Sequence, residues 1–167
     1  RFNGWTPEMA ETRISTIWAL GGSGDERVVA RLTPLFAVPD PGVRKIVVYA
    51  LGALPGTTQL DTLRTALQDD TADVRWNAAV ALARKNNREG VPVLRQMLDR
   101  AYVEQTVKRE VRLDEDKDPI ADVMISGLRA AATLKDESLK PSISALSTSD
   151  RSMKVRDAAL EALKVMG

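Results

Sequence analysis

The fold is decided by the stretch Val74-Arg75-Trp76-Asn77-Ala78-Ala79-Val80-Ala81-Leu82, because close relatives of it recur along the whole chain. One copy begins 31 residues earlier at Val43, and another begins 31 residues before that at Thr12. Two further copies follow after longer gaps, at Ile120 and Val155. Five copies of one pattern predict an array of repeated structural units.

A second pattern keeps the same 31-residue register. Val29, Leu32 and Phe36 have the spacing of one apolar helix face. The same positions carry apolar side chains in the next two copies, at Leu60, Leu63, Leu67, Val91, Leu94 and Leu98. Glycine and proline clusters at 21–24 and 39–42 separate the two patterns. Each repeat is therefore predicted to be a hairpin of two helices.

The composition agrees with a folded all-α chain. Of the 167 residues, 44% are hydrophobic but only 4% are aromatic, which favours closely packed helices over a sheet. Twenty-four basic and 23 acidic residues give a net charge of +1, which argues against a dedicated nucleic-acid binder. No apolar run reaches the roughly 18 residues that a membrane helix needs, so we expect no membrane insertion.

The sequence contains neither cysteine nor histidine. It therefore lacks thiol nucleophiles, the commonest zinc ligands and the usual general base. We expect a protein that is not an enzyme, with no cofactor and no metal site. A cysteine-free chain does not identify a compartment. Because the sequence begins at Arg1 without methionine, we expect it to be part of a longer protein.

We predict a single repeat domain over residues 1–167, interrupted by an insertion at about 99–117. The repeats lie at about 6–37, 38–68, 69–98, 118–147 and 148–167. In the insertion, Val103, Val107 and Val111 keep helical spacing, which predicts a prolonged helix or an extra element before a loop; a short hairpin is the alternative. The last repeat has one helix, which either caps the array with Glu161 and Lys164 or is followed by more repeats.

The pattern Val-Arg-x-x-Ala-Ala-x-Ala-Leu, clearest in Val74 to Leu82, resembles the short HEAT-like repeat named for phycobilisome lyases, within the armadillo-like superfamily. The resemblance covers nearly the whole chain. It implies a right-handed α–α superhelix, a HEAT-like solenoid of about five helical hairpins. The fourth copy departs from the pattern, because Ala121 replaces the arginine that the other copies carry: Arg13, Arg44, Arg75 and Arg156.

Two recurring positions are interpreted as structural. A small residue allows neighbouring helices to approach closely, and it stands at Ala19, Ala50, Ala81, Gly127 and Ala162. The recurring arginine is predicted to bridge to a backbone carbonyl or to a carboxylate near a repeat junction. The candidate carboxylates are Asp40, Asp70 and Asp73.

The first candidate binding surface is the row Trp18, Tyr49 and Val80, where helix phase places the side chains outward. Such an apolar ridge indicates a partner surface, although aromatic rings also simply cover neighbouring helices. Trp76 either joins this ridge or covers the edge of a repeat.

The second candidate is the face lined by the second helices, where the repeat places Thr33, Arg64 and Arg95 in one row. This face suits an acidic peptide segment, or it is an ordinary solvated helix surface. The third candidate is the insertion, which includes Tyr102. Its stretch Asp114 to Asp118 is similar to the start of a calcium loop, but Pro119 stands where an EF-hand needs glycine, so we favour a partner contact.

These features favour a non-enzymatic scaffold that binds another protein or a peptide segment. One alternative, implied by the resemblance, is an accessory subunit of the bilin-lyase type that binds a tetrapyrrole. The other is a DNA-binding HEAT-like protein, which the balanced charge makes the weakest of the three.

Overall fold

The structure, a computed structural model, describes residues 7–110 and 117–167. In these two ranges the backbone forms α-helices and short 3-10 turns without a strand, which confirms the predicted all-α fold. The α-helices there are α1 Pro7–Gly21, α2 Val29–Leu32, α3 Pro41–Ala53, α4 Leu60–Ala66, α5 Ala72–Arg84, α6 Val91–Met97, α7 Arg100–Glu110, α8 Pro119–Leu134, α9 Lys140–Ser149 and α10 Met153–Met166. None of the helices in the described ranges has both the length and the hydropathy needed to cross a membrane.

The helices group into two compact units, Arg1–Lys85 and Asn86–Gly167. In the first unit, α3 packs against α1 and α5, and α4 packs against α5. The 31-residue register reappears as repeated contacts between helices. A methyl group built on Gly21 would lie 2.7 Å from the Cβ of Ala50, and one built on Gly52 would lie 2.5 Å from the Cβ of Ala81. Glycine on one helix and alanine on the next therefore allow close packing.

Helix starts follow the side chains that the sequence supplies. Asp25 accepts a hydrogen bond from the amide of Arg27 and opens the short 3-10 turn that leads into α2. Asp118 accepts one from the amide of Ala121 and opens α8 at Pro119, as predicted. These contacts satisfy amide groups that the first helical turn leaves without a backbone acceptor.

The recurring arginine is structural, as predicted. In the first unit, Arg44 donates to the carbonyls of Val38 and Pro39, and Arg75 donates to the carbonyl of Asp69 at 2.8 Å. In the second unit, Arg156 donates to the carbonyl of its own preceding loop, at Asp150. Each arginine reaches the carbonyl six residues before it, and so fixes the loop that precedes its helix.

The carboxylate partners of Arg44 differ in part from the candidates. Arg44 makes a bidentate pair with Asp69, at 3.0 and 3.1 Å, and a further contact of 3.2 Å with the predicted Asp70. Asp40 instead caps the start of α3, and Asp73 pairs with Lys45. Burial would raise the pKa of Asp69, but the hydrogen bonds from Arg44 and the Thr71 amide hold this pKa below its ordinary value.

Two polar side chains fix the connection between α3 and α4. The buried Gln59 donates from Nε2 to the carbonyls of Leu51, Leu54 and Pro55. Lys85 donates from Nζ to the carbonyls of Leu54 and Gly56. Partial burial, together with repulsion from Arg84, lowers the pKa of Lys85 despite the attraction of Glu26.

In the second unit, α8 packs against α6, α7 and α10, and α10 packs against α9. Gly127 of α8 lies against Met97, at a position where a methyl group would be 2.8 Å from the Met97 Cβ. The turn at 135–137 joins α8 to the next hairpin helix, and Pro141 lies in the first turn of α9, both as predicted. Ile143 is buried, whereas Leu146 is only half-buried.

The helix α7 is an additional element between two repeats, one of the predicted alternatives for the insertion. Val103 and Val107 are buried, as their spacing predicts, and Val111 lies outside the described residues. Arg100 at the start of α7 forms a bidentate pair with the buried Asp150, with distances of 2.7 and 2.8 Å. The contact fastens α7 to the loop before α10.

The pKa values of this pair move apart. Hydrogen bonding to Asp150 raises the pKa of Arg100. Burial alone would raise the pKa of Asp150, but the hydrogen bonds from Arg100 and the Ser152 amide outweigh it and lower this pKa. Both groups are therefore charged at neutral pH, and each stabilises the other.

Candidate interaction surface

The aromatic ridge, defined as Trp18, Tyr49 and Val80, lies on the first helices of the first unit. Trp18 projects from α1 and is 56% exposed, and Tyr49 projects from α3 and is 38% exposed. Both were predicted to face outward, and their exposure confirms this. Val80 on α5 is half-buried, so the ridge is highest at the two aromatic side chains.

The two rings of the ridge stack on each other. Their centroids are 4.9 Å apart and their planes differ by 9°. The guanidinium carbon of Arg84 lies 5.8 Å from the Tyr49 centroid, within the range of a cation–π interaction. Arg84 was not among the predicted site residues, but it follows Val80 by four residues and so lies one turn further along the same face of α5. This spacing is the signal that identifies it.

The ridge stands on rigid supports. Trp18 is three residues before Gly21, and Tyr49 is next to Ala50, the pair at which α1 and α3 approach most closely. This packing holds the rings at a fixed separation, so little side-chain freedom remains to be lost when a partner binds. The exposed aromatic area is thus preorganised for contact.

Trp76 is not part of this surface, and the prediction that it faces outward was wrong. Its side chain is only 4% exposed, and its Nε1–H has no acceptor within the described residues. An indole has one of the largest apolar areas of any side chain, and burial removes that area from water. The same register position carries Ile14 and Lys45, both half-buried, which already indicates a flank rather than an outward face.

The second candidate surface is divided between the two units. In the first unit Arg64 is exposed and pairs with Asp61 at 2.7 Å, while Thr33 donates to the carbonyl of Val29. A groove of about 590 Å³ lies on this face, lined by Glu26, Arg27, Val29, Ala30, Thr33, Pro34 and Thr58. In the second unit Arg95 is exposed and donates to the hydroxyl of Ser138 at 3.2 Å.

This groove of the first unit carries both signs of charge. Arg27 is held by Asp25 through a bidentate contact, and hydrogen bonding to Arg27 lowers the pKa of Asp25. Glu26 contributes a carboxylate to the lining. The groove therefore has a weaker basic character than the row of arginines predicts.

Of the insertion candidates, Tyr102 is half-buried on α7, and its amide donates to Asp99. The acidic stretch that resembles a calcium loop lies mostly outside the described residues, which resume at Lys117. Within 7–110 and 117–167, no group of three or more carboxylates is arranged to hold a metal ion.

Comparison with known families agrees with the repeated helices. The family of HEAT repeats matches residues 7–76, and the PBS lyase HEAT-like repeat matches residues 74–100. The chain is a HEAT-like repeat protein. A search of curated proteins gives no significant match. HEAT repeats commonly act as protein-interaction scaffolds and are generally not enzymes.

Proposed function

We propose that this HEAT-like repeat protein is a non-enzymatic module that binds another protein through the aromatic ridge. The observation that supports the proposal is the exposed, parallel stack of Trp18 on Tyr49. Aromatic side chains at fixed positions are the commonest hot spots of protein interfaces. A large exposed aromatic pair also costs solubility, which is a reason to expect a partner that covers it.

The chemistry of the ridge favours a partner with an apolar contact patch and an acidic rim. The two rings offer flat apolar area, and the exposed Arg84 places a positive charge beside Tyr49. A carboxylate on the partner would pair with Arg84, while an aliphatic or aromatic side chain would cover Trp18.

The test compares two surfaces of the same unit. Immobilised wild-type protein, the double variant Trp18→Ala/Tyr49→Ala and the control variant Arg64→Ala are exposed to the same extract, and captured proteins are quantified. Purified candidates are then measured for affinity. We expect the ridge variant to lose at least about 30-fold in affinity, since hot-spot truncations cost about 2 kcal/mol or more. The control should bind as the wild type does.

The opposite pattern contradicts the ridge. If Arg64→Ala loses the partner and the ridge variant keeps it, the second-helix face is the binding surface. Equal binding by all three proteins removes both surfaces from the proposal.

A second candidate is an accessory role in tetrapyrrole attachment, which the match of residues 74–100 to the PBS lyase HEAT-like repeat favours. This role predicts that mixing the protein with phycocyanobilin changes the visible absorbance spectrum. An unchanged spectrum at saturating protein rejects it.

A further inference from the structure

The first helices of the repeats have two opposite contact faces that can be identified by register. Gly21 on α1 meets Ala50 on α3, and Gly52 on α3 meets Ala81 on α5. We call the positions equivalent to Ile17 and Gly21 the forward face, because they point to the following first helix. The positions equivalent to Thr16 and Ala19 form the rear face. Residues three or four apart share one side of a helix, so each pair defines a face.

The helix α3 is buried on both faces. Its forward residues Val48 and Gly52 and its rear residues Val47 and Ala50 are all buried. This is expected of a first helix that packs between α1 and α5. Burial of both faces is thus the condition of an internal repeat.

The helix α1 is buried on one face alone. Ile17 and Gly21 on its forward face are buried, whereas Thr16 and Ala19 on its rear face are exposed. The open face therefore carries two small side chains, without a bulky residue to obstruct the approach of another helix.

The helix α10 shows the reverse arrangement. Its rear residues Ala159 and Ala162 are buried, and its forward residues Leu160 and Lys164 are exposed. Leu160 is 47% exposed, although the equivalent residues of the first three copies are at most 2% exposed: Ile17, Val48 and Ala79. Met153, two turns before Leu160 on the same side, is also exposed. Two large apolar side chains thus occupy a face that following helices cover elsewhere in the chain.

We propose that the forward face of α10 binds the rear face of α1 in a second copy of this chain, so that copies associate head to tail. The contact continues an interface type that the chain already makes between α1 and α3 and between α3 and α5. Leu160 supplies the apolar side chain, and the small residues Thr16 and Ala19 supply the space that receives it.

Lys164 occupies the forward position that is glycine in α1 and α3, but it does not prevent the contact. Arg129 occupies the same position on α8, and α10 packs against α8 nevertheless. There a groove of about 360 Å³ remains between the two helices, lined by Arg129, Ala132, Thr133, Ala158, Glu161, Ala162 and Val165. We therefore expect the contact between copies to follow the α8–α10 packing rather than the closer glycine type.

The two faces belong to different helices, so the contact is heterologous. Repeated use joins copies into rings or open chains rather than into a closed two-fold dimer. The inference concerns self-association and is independent of the ridge proposal, because Trp18 belongs to neither face. The variant Trp18→Ala is expected to associate as the wild type does.

The experiment measures molar mass by sedimentation velocity over a concentration series of the whole chain. Leu160→Glu places a charge on the forward face, and Ala19→Arg places one on the rear face. We expect each variant alone to associate at least about tenfold more weakly than the wild type. The control Val165→Glu places the same charge on α10, on the side that faces the α8 groove, and should associate normally. Circular dichroism checks that each variant is folded.

A mixture of the two weakened variants gives the decisive result. Leu160→Glu keeps an intact rear face and Ala19→Arg keeps an intact forward face, so head-to-tail contact predicts a 1:1 heterodimer that grows no further. A wild-type chain that stays monomeric at its highest soluble concentration overturns the proposal. A mixture without the heterodimer, or a variant that associates like the wild type, also overturns it.

Discussion

Gly52 on α3 lies so close to Ala81 on α5 that an added methyl group would be 2.5 Å from the Ala81 Cβ and 2.9 Å from its Cα. The relationship is repeated 31 residues earlier between Gly21 and Ala50, at 2.7 Å. Real Cβ atoms do not approach this closely, and a backbone neighbour cannot move aside as a flexible side chain can. The distance between the first helices of this unit therefore depends on these glycines.

The variant Gly52→Ala should lower the free energy of unfolding by about 1–3 kcal/mol, because the added methyl group forces α3 and α5 apart. Urea denaturation measures the change. The matched control is Gly22→Ala, where the nearest atom outside the local chain would be 3.6 Å away. Equal losses in the two variants would show that close packing is not the cause.

Trp76→Ala should cost about 3–5 kcal/mol of unfolding free energy, because it removes a buried indole and leaves a cavity. Trp18→Ala, which removes a mostly exposed indole, should cost much less. Trp76→Phe should recover a large part of the loss, since it restores apolar volume and removes an N–H group that has no acceptor in the described chain. A small effect of Trp76→Ala would contradict the burial of this side chain.

The stacked rings of Trp18 and Tyr49 should be energetically coupled. A double-mutant cycle with Trp18→Ala and Tyr49→Ala is expected to give an interaction of about 0.5–1.5 kcal/mol, the usual range for aromatic pairs. Chemical denaturation of the four proteins supplies the values. Strict additivity of the two single effects would mean that the stack does not persist in solution.

The pair of Arg100 and Asp150 should make stability depend on acid pH. The folded pKa of Asp150 lies below its unfolded value of about 3.9, so the pair stabilises the fold fully above that value. This contribution is lost as the pH falls through the folded pKa. Arg100→Met should therefore cost about 3 kcal/mol at pH 7, because a buried carboxylate loses its partner. The difference from the wild type should shrink as the pH is lowered below about 4.

Unfolding curves between pH 7 and pH 2.5 test this dependence. The control is Arg27→Met, which breaks the exposed pair with Asp25 and should cause little change at any pH in the series. A deficit of Arg100→Met that stays constant down to the lowest pH would contradict a role for the Asp150 charge.

The sequence by itself determined the helices, their 31-residue spacing and the structural role of the recurring arginine. These features depend on local rules: helix phase, capping side chains, and small residues that recur where neighbouring repeats meet. The outward positions of Trp18 and Tyr49 belong to the same class, because both lie opposite the apolar side of their helices. The spacing of Val103 and Val107 likewise predicted a helical element in the insertion.

Only the tertiary structure decided which side chains the neighbouring helices cover. Trp76 and Leu160 both fall on flanks of first helices, yet one is buried and the other is exposed, because burial depends on the volume and position of residues far away in the sequence. The choice of Asp69 as the main partner of Arg44 is of the same kind, since a difference of one residue in a loop changes which carboxylate meets the guanidinium. Periodicity specifies where a face points, and packing decides whether anything meets it.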